Sequence, residues 1–472
     1  MTSPNTRQKK SASKQEGSVL KAIVDEEDEK LSFASVTEDK IGGSASHEAA
    51  DAKDTKKREK AVHELQKVSY LHGSSDSVLE DEPFYHGYMT RMEADRLTTK
   101  DGEFLVRKTE VKGKESYVVS INWQGAKLHL KIHEMRRLYW MKTYCFESVQ
   151  SLIRYHMSMK VAVYEDVLLK SYVVREQWQL YHEQIVINER IGNGAFGEVF
   201  KGTLTVGLFT KPIEVAVKTL KSGSFTADDR ITFLREANVM LKLQHKFIVR
   251  LYGVATQKEP IMIVMELAPG GSLLNKVRTQ SIDLETKRKY CYQTVSGMQY
   301  LEAEKVMHRD LAARNCLISS NDSCKISDFG LSLMGHTHKE RQMPKVPIRW
   351  LAPEVLQRGV FSNKSDVWSY GVLMFEVFSD GEVPYKAVSK LSEVRKKVIK
   401  EELHLDCPQN MPPEDAAIMT SCFVRDPAKR PSFEDLKNLY RKANRNTNKF
   451  SKVLGWFQKG EVAPHKRQLK VD

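Results

Sequence analysis

The sequence predicts an α+β protein of two globular modules behind a polar tail, and three observations carry that prediction. From Pro83 onward, Phe104-Leu105-Val106-Arg107, Ser116 to Asn122 and Lys127 to His133 read as strands of one sheet, beside a short capped helix at Thr90 to Leu97. From Ile185, three more β-favouring runs enclose a glycine-rich loop, Gly192-Asn193-Gly194-Ala195-Phe196-Gly197. Helical spacing then appears at Phe233 to Met240, upstream of a polar loop, His308-Arg309-Asp310-Leu311-Ala312-Ala313-Arg314-Asn315.

Composition sets the frame. The 472 residues give room for two or three domains, and 41% hydrophobic residues suffice for real cores. Residues 1–82 are rich in Ser, Lys, Glu, Asp and Ala and poor in aromatics, which predicts a disordered tail, with a short helix at most between His47 and Leu71. The six cysteines form no C-x-x-C pair, which indicates neither a zinc site nor a disulfide framework and fits a reducing compartment. The N-terminus lacks the apolar run of a signal peptide, Thr2 stands where myristoylation needs glycine, and no apolar run reaches the length of a membrane span. A soluble, cytoplasmic protein is expected. The net charge of +13 is spread out, apart from the tail 441–472, which has nine Lys or Arg against two acids. That tail reads as a solvated run, with weak membrane, nuclear-import or partner contacts as the alternatives. Nucleic-acid binding would demand strong salt dependence, and no base-reading motif supports it.

The polar loop carries the chemistry. An Asp followed five residues later by an Asn suits phosphoryl transfer: Asp310 accepts the proton of an attacking hydroxyl, and Asn315 offers a hard oxygen to Mg2+. H-R-D alone is a weak signal, so the partner motifs decide. The glycine loop runs into the β-favouring Val199-Phe200 instead of opening a helix, and no G-K-[ST] follows, which disfavours a dinucleotide site or a P-loop and favours a strand-loop-strand cover over ATP phosphates. Lys218, in V-A-V-K, is placed to hold the α- and β-phosphates and needs an acidic partner, which Glu236 supplies from the helical run. Asp328-Phe329-Gly330 supplies a second magnesium ligand, Asp328, and Ala352-Pro353-Glu354 closes the segment after it.

Upstream, the region from about Phe84 to Tyr172 resembles an SH2 domain, on the F-L-V-R run, Arg91 and His129-Leu130-Lys131-Ile132. An arginine at the base of a pocket makes bidentate, charge-assisted bonds to a phosphate dianion. The resemblance implies that Arg107 anchors phosphotyrosine, Arg91 clamps it, His129 buttresses the pocket and Thr109 adds a hydrogen bond, while Leu130 helps to read the residues after the phosphotyrosine. Phe84 replaces the family's usual Trp, and Lys108 replaces a common acidic residue. The domain is expected over 83–173, with a linker at 174–184 whose Trp178 couples it to the module beginning at Ile185.

Residues 185–440 resemble a protein kinase domain, with a β-rich small lobe and an α-rich large lobe. The resemblance implies an adenine site lined by Ile191, Val199, Ala216 and Leu317, a hinge through Glu266 and Ala268, Met265 as gatekeeper, and a structural Glu354–Arg430 pair. Ala312-Ala313-Arg314 and Lys345-Val346-Pro347-Ile348-Arg349-Trp350 are similar to the tyrosine-directed class, with Arg314 in the catalytic set. The tandem order, the hinge and H-R-D-L-A-A-R-N-C-L together resemble the Fes/Fer family of non-receptor tyrosine kinases, without the long N-terminal membrane-bending (F-BAR) domain of that family. The implied function is Mg-ATP-dependent phosphorylation of protein tyrosines by a monomer recruited to phosphotyrosine partners; a catalytically weak phosphotyrosine adapter is the alternative. No tyrosine lies between Asp328 and Glu354, and Leu333 occupies the position of an expected basic residue. Arg309 therefore needs a partner other than a phosphotyrosine, and SH2 engagement or localisation is expected to set activity.

Overall fold

The computed structural model describes residues 69–70, 77–111, 114–193, 197–207, 210–220, 227–340, 347–400, 403 and 405–446. The proposed helix before Leu71, the basic tail beyond 446, and Gly194, Ala195 and Phe196 lie outside these residues. The described residues form two compact units, one of those up to Tyr85 with Thr90–Val173, the other of His86–Met89 with Val174 to Asn446.

In the first unit, helix α1 (Arg91–Leu97) starts at a capping box: the Thr90 side chain accepts from the Glu93 amide while the Glu93 carboxylate accepts from Thr90 N–H at 2.9 Å. Strands β1 (Glu103–Val111), β2 (Lys114–Trp123) and β3 (Ala126–Lys131) form an antiparallel sheet. Alternation along β1 sends Phe104 and Val106 into the core with Val119, Ile121 and helix α2 (Val149–Ser158), and turns Leu105, Arg107 and Thr109 to the other face. Packing starts earlier in the chain than the composition change suggests. Leu79 joins this core, and Ser69–Tyr70 pairs in parallel with Tyr144–Cys145, because one leucine and a two-residue strand leave no periodic signal among charged neighbours.

The second unit opens with a five-stranded sheet, β4 (Ile185–Asn193), β5 (Gly197–Leu204), β6 (Ile213–Leu220), β7 (Leu251–Ala255) and β8 (Met262–Glu266), in spatial order β4-β5-β6-β8-β7. Against it lies helix α3 (Ala227–Met240), whose buried stripe of Phe233, Glu236, Ala237 and Met240 has helical spacing. The linker follows the sheet edge: Leu180 N–H donates to Val254 O and Val254 N–H to Trp178 O, each at 2.8 Å. Trp178 packs on the cluster of Leu220, Phe233, Leu234, Ala237 and Ile263, so the linker shares a core with the helix that carries Glu236. The helical lobe follows, around α4 (Leu284–Ala303) and α5 (Asn363–Phe378), with a core that includes Tyr290, Met298, Leu311, Phe329, Trp368 and Phe433. Glu354 and Arg430 meet there as a fully buried, two-pronged ion pair at 2.8 and 3.2 Å.

Candidate functional site

Register places the nucleotide-side residues. Gly192 on β4 stands opposite Val199 on β5, which stands opposite Lys218 on β6, and Ala216 faces Met265 on β8. Ile191 is half exposed beside Gly192, Asn193 ends β4, and Gly197 has room for no side chain: a Cβ there would lie 1.8 Å from the Thr219 carbonyl oxygen. Glu266 ends β8, with its carboxylate 2.9 Å from Lys325 Nζ, and Ala268 O accepts from Gly271 N–H at 3.2 Å in the adjoining turn. Leu317 lies half buried on the short strand Cys316–Ile318 of the helical lobe.

Lys218 Nζ donates to Glu236 Oε1 and Oε2 at 2.9 and 2.7 Å, with both residues buried, and lies 4.0 Å from Asp328 Oδ1. Burial works against the ammonium, but the charges of Glu236 and Asp328 outweigh it and raise the Lys218 pKa, while burial raises the Glu236 pKa against the pull of Lys218.

The polar loop is held from below. His308 and Arg309 donate their amides to Asp366 at 2.8 and 2.9 Å, and Ala313 N–H donates to Glu376 Oε2 at 2.9 Å. Burial pushes the Asp366 carboxyl up to about 6. Arg309 and Asp328 have φ of 69° and 63°, a left-handed backbone that costs energy in a residue with a side chain. Within the loop, Asn315 Nδ2 donates to Asp310 O and Oδ2 at 2.7 and 2.8 Å, and Arg314 bonds the other Asp310 carboxylate oxygen while stacking 4.4 Å over Trp350. Burial raises the Asp310 pKa, with Arg314 and Asn315 opposing it. Asn315 has thus committed its amide nitrogen inward, and its oxygen is the atom suited to a cation. Among the described residues no cluster of three or more His, Cys, Asp or Glu is arranged to hold a metal; a magnesium ion bound through one carboxylate, one amide oxygen and nucleotide phosphates needs none.

In the first unit, Arg107 is 4% exposed, and its Nε donates to Ser120 Oγ at 2.9 Å. Ser120 Oγ lies 2.9 Å from His129 Nδ1, and His129 Nε2 lies 3.1 Å from Asp95 Oδ1. Burial, then the charges of Arg107 and Arg91, push the His129 pKa down to about 3, so the imidazole is neutral; Nε2 and Asp95 Oδ1 make no hydrogen bond with each other. Arg91 opens α1 on the same side, and Thr109 shares the β1 face of Arg107. Ser120 and Asp95 carried no signal in the sequence: Ser120 reaches His129 through the strand register Leu105–Ser120–His129, and Asp95 approaches His129 from the helix Arg91–Leu97. Lys108 is neutralised by Glu115 at 2.6 Å on the neighbouring strand.

Residues 185–439 match the protein tyrosine and serine/threonine kinase family, and residues 84–156 match the SH2 domain. The chain is 41% identical to spermatocyte protein spe-8 of Caenorhabditis elegans over 72% of its own length and 67% of that protein. It is 35% identical to Fer-related kinase 1 of the same organism, over 79% of this chain and 96% of the relative. It is 38% identical to tyrosine-protein kinase Fer of Rattus norvegicus over 76% of this chain, but spans only 43% of that longer protein. The chain belongs to the Fer/Fes family of non-receptor tyrosine kinases. It is a protein-tyrosine kinase that takes ATP as phosphoryl donor and is recruited to phosphotyrosine proteins by its SH2 domain. The α+β class and the order SH2 then kinase are thus as the sequence predicts. No helix of the described residues is long and apolar enough to cross a membrane.

Proposed function

We propose that Asp310 is the base of the reaction. It accepts the phenolic proton as the tyrosine oxygen bonds to the γ-phosphorus and the bond to the departing ADP oxygen breaks. Arg314 and Asn315 aim its carboxylate, Lys218 orients the α- and β-phosphates with Gly192, Asn193 and Gly197 on the phosphate side, and Glu236 fixes Lys218. Ile191, Val199, Ala216 and Leu317 enclose adenine, with hydrogen bonds from the Glu266–Ala268 backbone. Asn315 and Asp328 hold Mg2+, which when bound neutralises phosphate charge. Arg107, Arg91, Thr109 and His129 bind phosphotyrosine. The enzyme works in the cytoplasm as a monomer, gathered at the cell periphery where phosphotyrosine partners collect.

The observation that carries this reading is the pair of bonds from Asn315 Nδ2 to Asp310, 2.7 and 2.8 Å, which joins the base to the magnesium ligand five residues on. The test is transfer from Mg-ATP to peptides containing only Tyr or only Ser/Thr. Transfer is expected to Tyr alone, and Asp310→Asn is expected to cost about 10²- to 10⁴-fold in kcat. Wild type no faster than the variant, with ATP still bound, would make the chain an adapter.

A further inference from the structure

Arg309 has found its partner inside the chain. Its Nη2 donates to Glu340 Oε2 at 2.6 Å, its Nη1 donates to Leu331 O at 3.3 Å, and the guanidinium stacks 4.1 Å over the Phe361 ring. The side chain is only 5% exposed, so this ion pair is screened far less than a surface one. Glu340 in turn is fixed by its backbone. Strands β9 (Thr337–Lys339) and β10 (Val360–Ser362) pair antiparallel, and Glu340 N–H donates to Gly359 O at 3.0 Å. One guanidinium thus ties together the residue before the base, Leu331 just past Asp328-Phe329-Gly330, and a point farther along the same segment.

The charge count matches a carboxylate and not a phosphate. A phosphorylated residue brings about −1.5 to −2 charges and calls for more than one cation. Leu333, where a second cation would stand, is half buried against the apolar core on a short strand paired with Val306–Met307. The neighbouring group is His338, with Nε2 3.4 Å from Glu340 Oε2. Of the hydroxyls between Asp328 and Glu340, that of Ser332 is buried and donates to His308 O at 3.1 Å, and Thr337 sits within β9.

We infer that Glu340 is a positioning residue of the kinase reaction: its permanent carboxylate holds Arg309, and through it the Asp310 loop, in the arrangement that phosphorylation of this segment would otherwise have to create. The inference rests on Asp310 being the base. It makes the catalytic site ready without autophosphorylation.

The experiment compares initial rates of the full chain, phosphatase-treated and then assayed without ATP preincubation, for wild type, Glu340→Gln, Arg309→Met and the double variant, with Asp310→Asn as reference. Wild type should show no lag and no loss on phosphatase treatment. Glu340→Gln should lose about tenfold in kcat with KM for ATP within about twofold, since only alignment of the base is affected. The double variant should be no slower than Arg309→Met, because both side chains act through one contact. Glu340→Gln with kcat within about twofold of wild type, or losses that multiply in the double variant, would overturn the role of Glu340. So would a wild type that loses about tenfold on phosphatase treatment and regains it with ATP, a result that needs no variant to fold. Wild type as slow as Asp310→Asn would instead remove the catalytic reading on which the role depends.

Discussion

Lys218 and Glu236 form a pair in which stability and activity can be pulled apart. A carboxylate on the buried stripe of α3 is costly unless its charge is answered, and Lys218 answers it at 2.7 and 2.9 Å. Glu236→Leu alone leaves a buried ammonium and is expected to destabilise the kinase unit by about 3–5 kcal/mol in urea unfolding. The double variant Lys218→Met/Glu236→Leu should recover most of that stability yet remain inactive, since it removes the cation proposed to hold the phosphates. A second residue-scale effect concerns His129. Its folded pKa, about 3, lies below its unfolded value of about 6.5, so the unfolded chain binds the extra proton as pH falls and stability drops between these values. The loss should approach about 1.4 kcal/mol per pH unit below pH 6, and His129→Gln should flatten the dependence of the SH2 transition in thermal unfolding from pH 7 to 4.5. An equally steep variant would assign the proton uptake elsewhere.

At the scale of elements, the strands and helices were legible where chemistry and periodicity coincide. The F-L-V-R strand and the capping signal at Thr90 and Glu93 appear as read, and the two strands that flank the glycine loop pair with each other, while Gly194 to Phe196 lie outside the described residues. Ser120, Asp95 and Glu340 were not legible, since each gains its meaning from a partner on another segment, and a lone Ser, Asp or Glu between polar neighbours has no pattern of its own. The linker is intermediate. Trp178 stood out by its size, but its docking on β7 depends on a neighbour's lack of a side chain: a Cβ on Gly253 would lie 2.2 Å from Trp178 O and 2.8 Å from Leu180 Cγ. Gly253→Val should therefore lift the linker from the sheet edge and loosen the cluster it shares with α3. The expected outcome is a fall in kcat/KM of about tenfold, with faster amide exchange at Leu180 and Val254. Unchanged exchange at both amides would show that the strand pairing survives and that the close approach is relieved in another way.

At the scale of the whole molecule, the chain joins a pocket that binds the reaction's product to a site that makes it. Arg107 and Asp310 lie in separate compact units connected by residues 174–184, so the two functions can be lost independently. The connection also changes the kinetics of substrates that carry more than one tyrosine. Once one phosphotyrosine is held at the SH2 domain, the remaining tyrosines of the same substrate meet the catalytic site at an effective concentration set by the substrate's own flexible spacer, in the millimolar range for a short one, instead of the far lower bulk concentration. A peptide with one phosphotyrosine and one distant tyrosine should thus show a KM lower by about 10²-fold than its unphosphorylated counterpart, with kcat little changed. Arg107→Met removes the guanidinium proposed to hold the phosphate and should bring the two KM values together, while leaving turnover of the unphosphorylated peptide as in wild type. Equal KM values already in the wild type would mean that the SH2 domain cannot present its bound partner to its own kinase domain, and that recruitment brings the enzyme to neighbouring substrates instead.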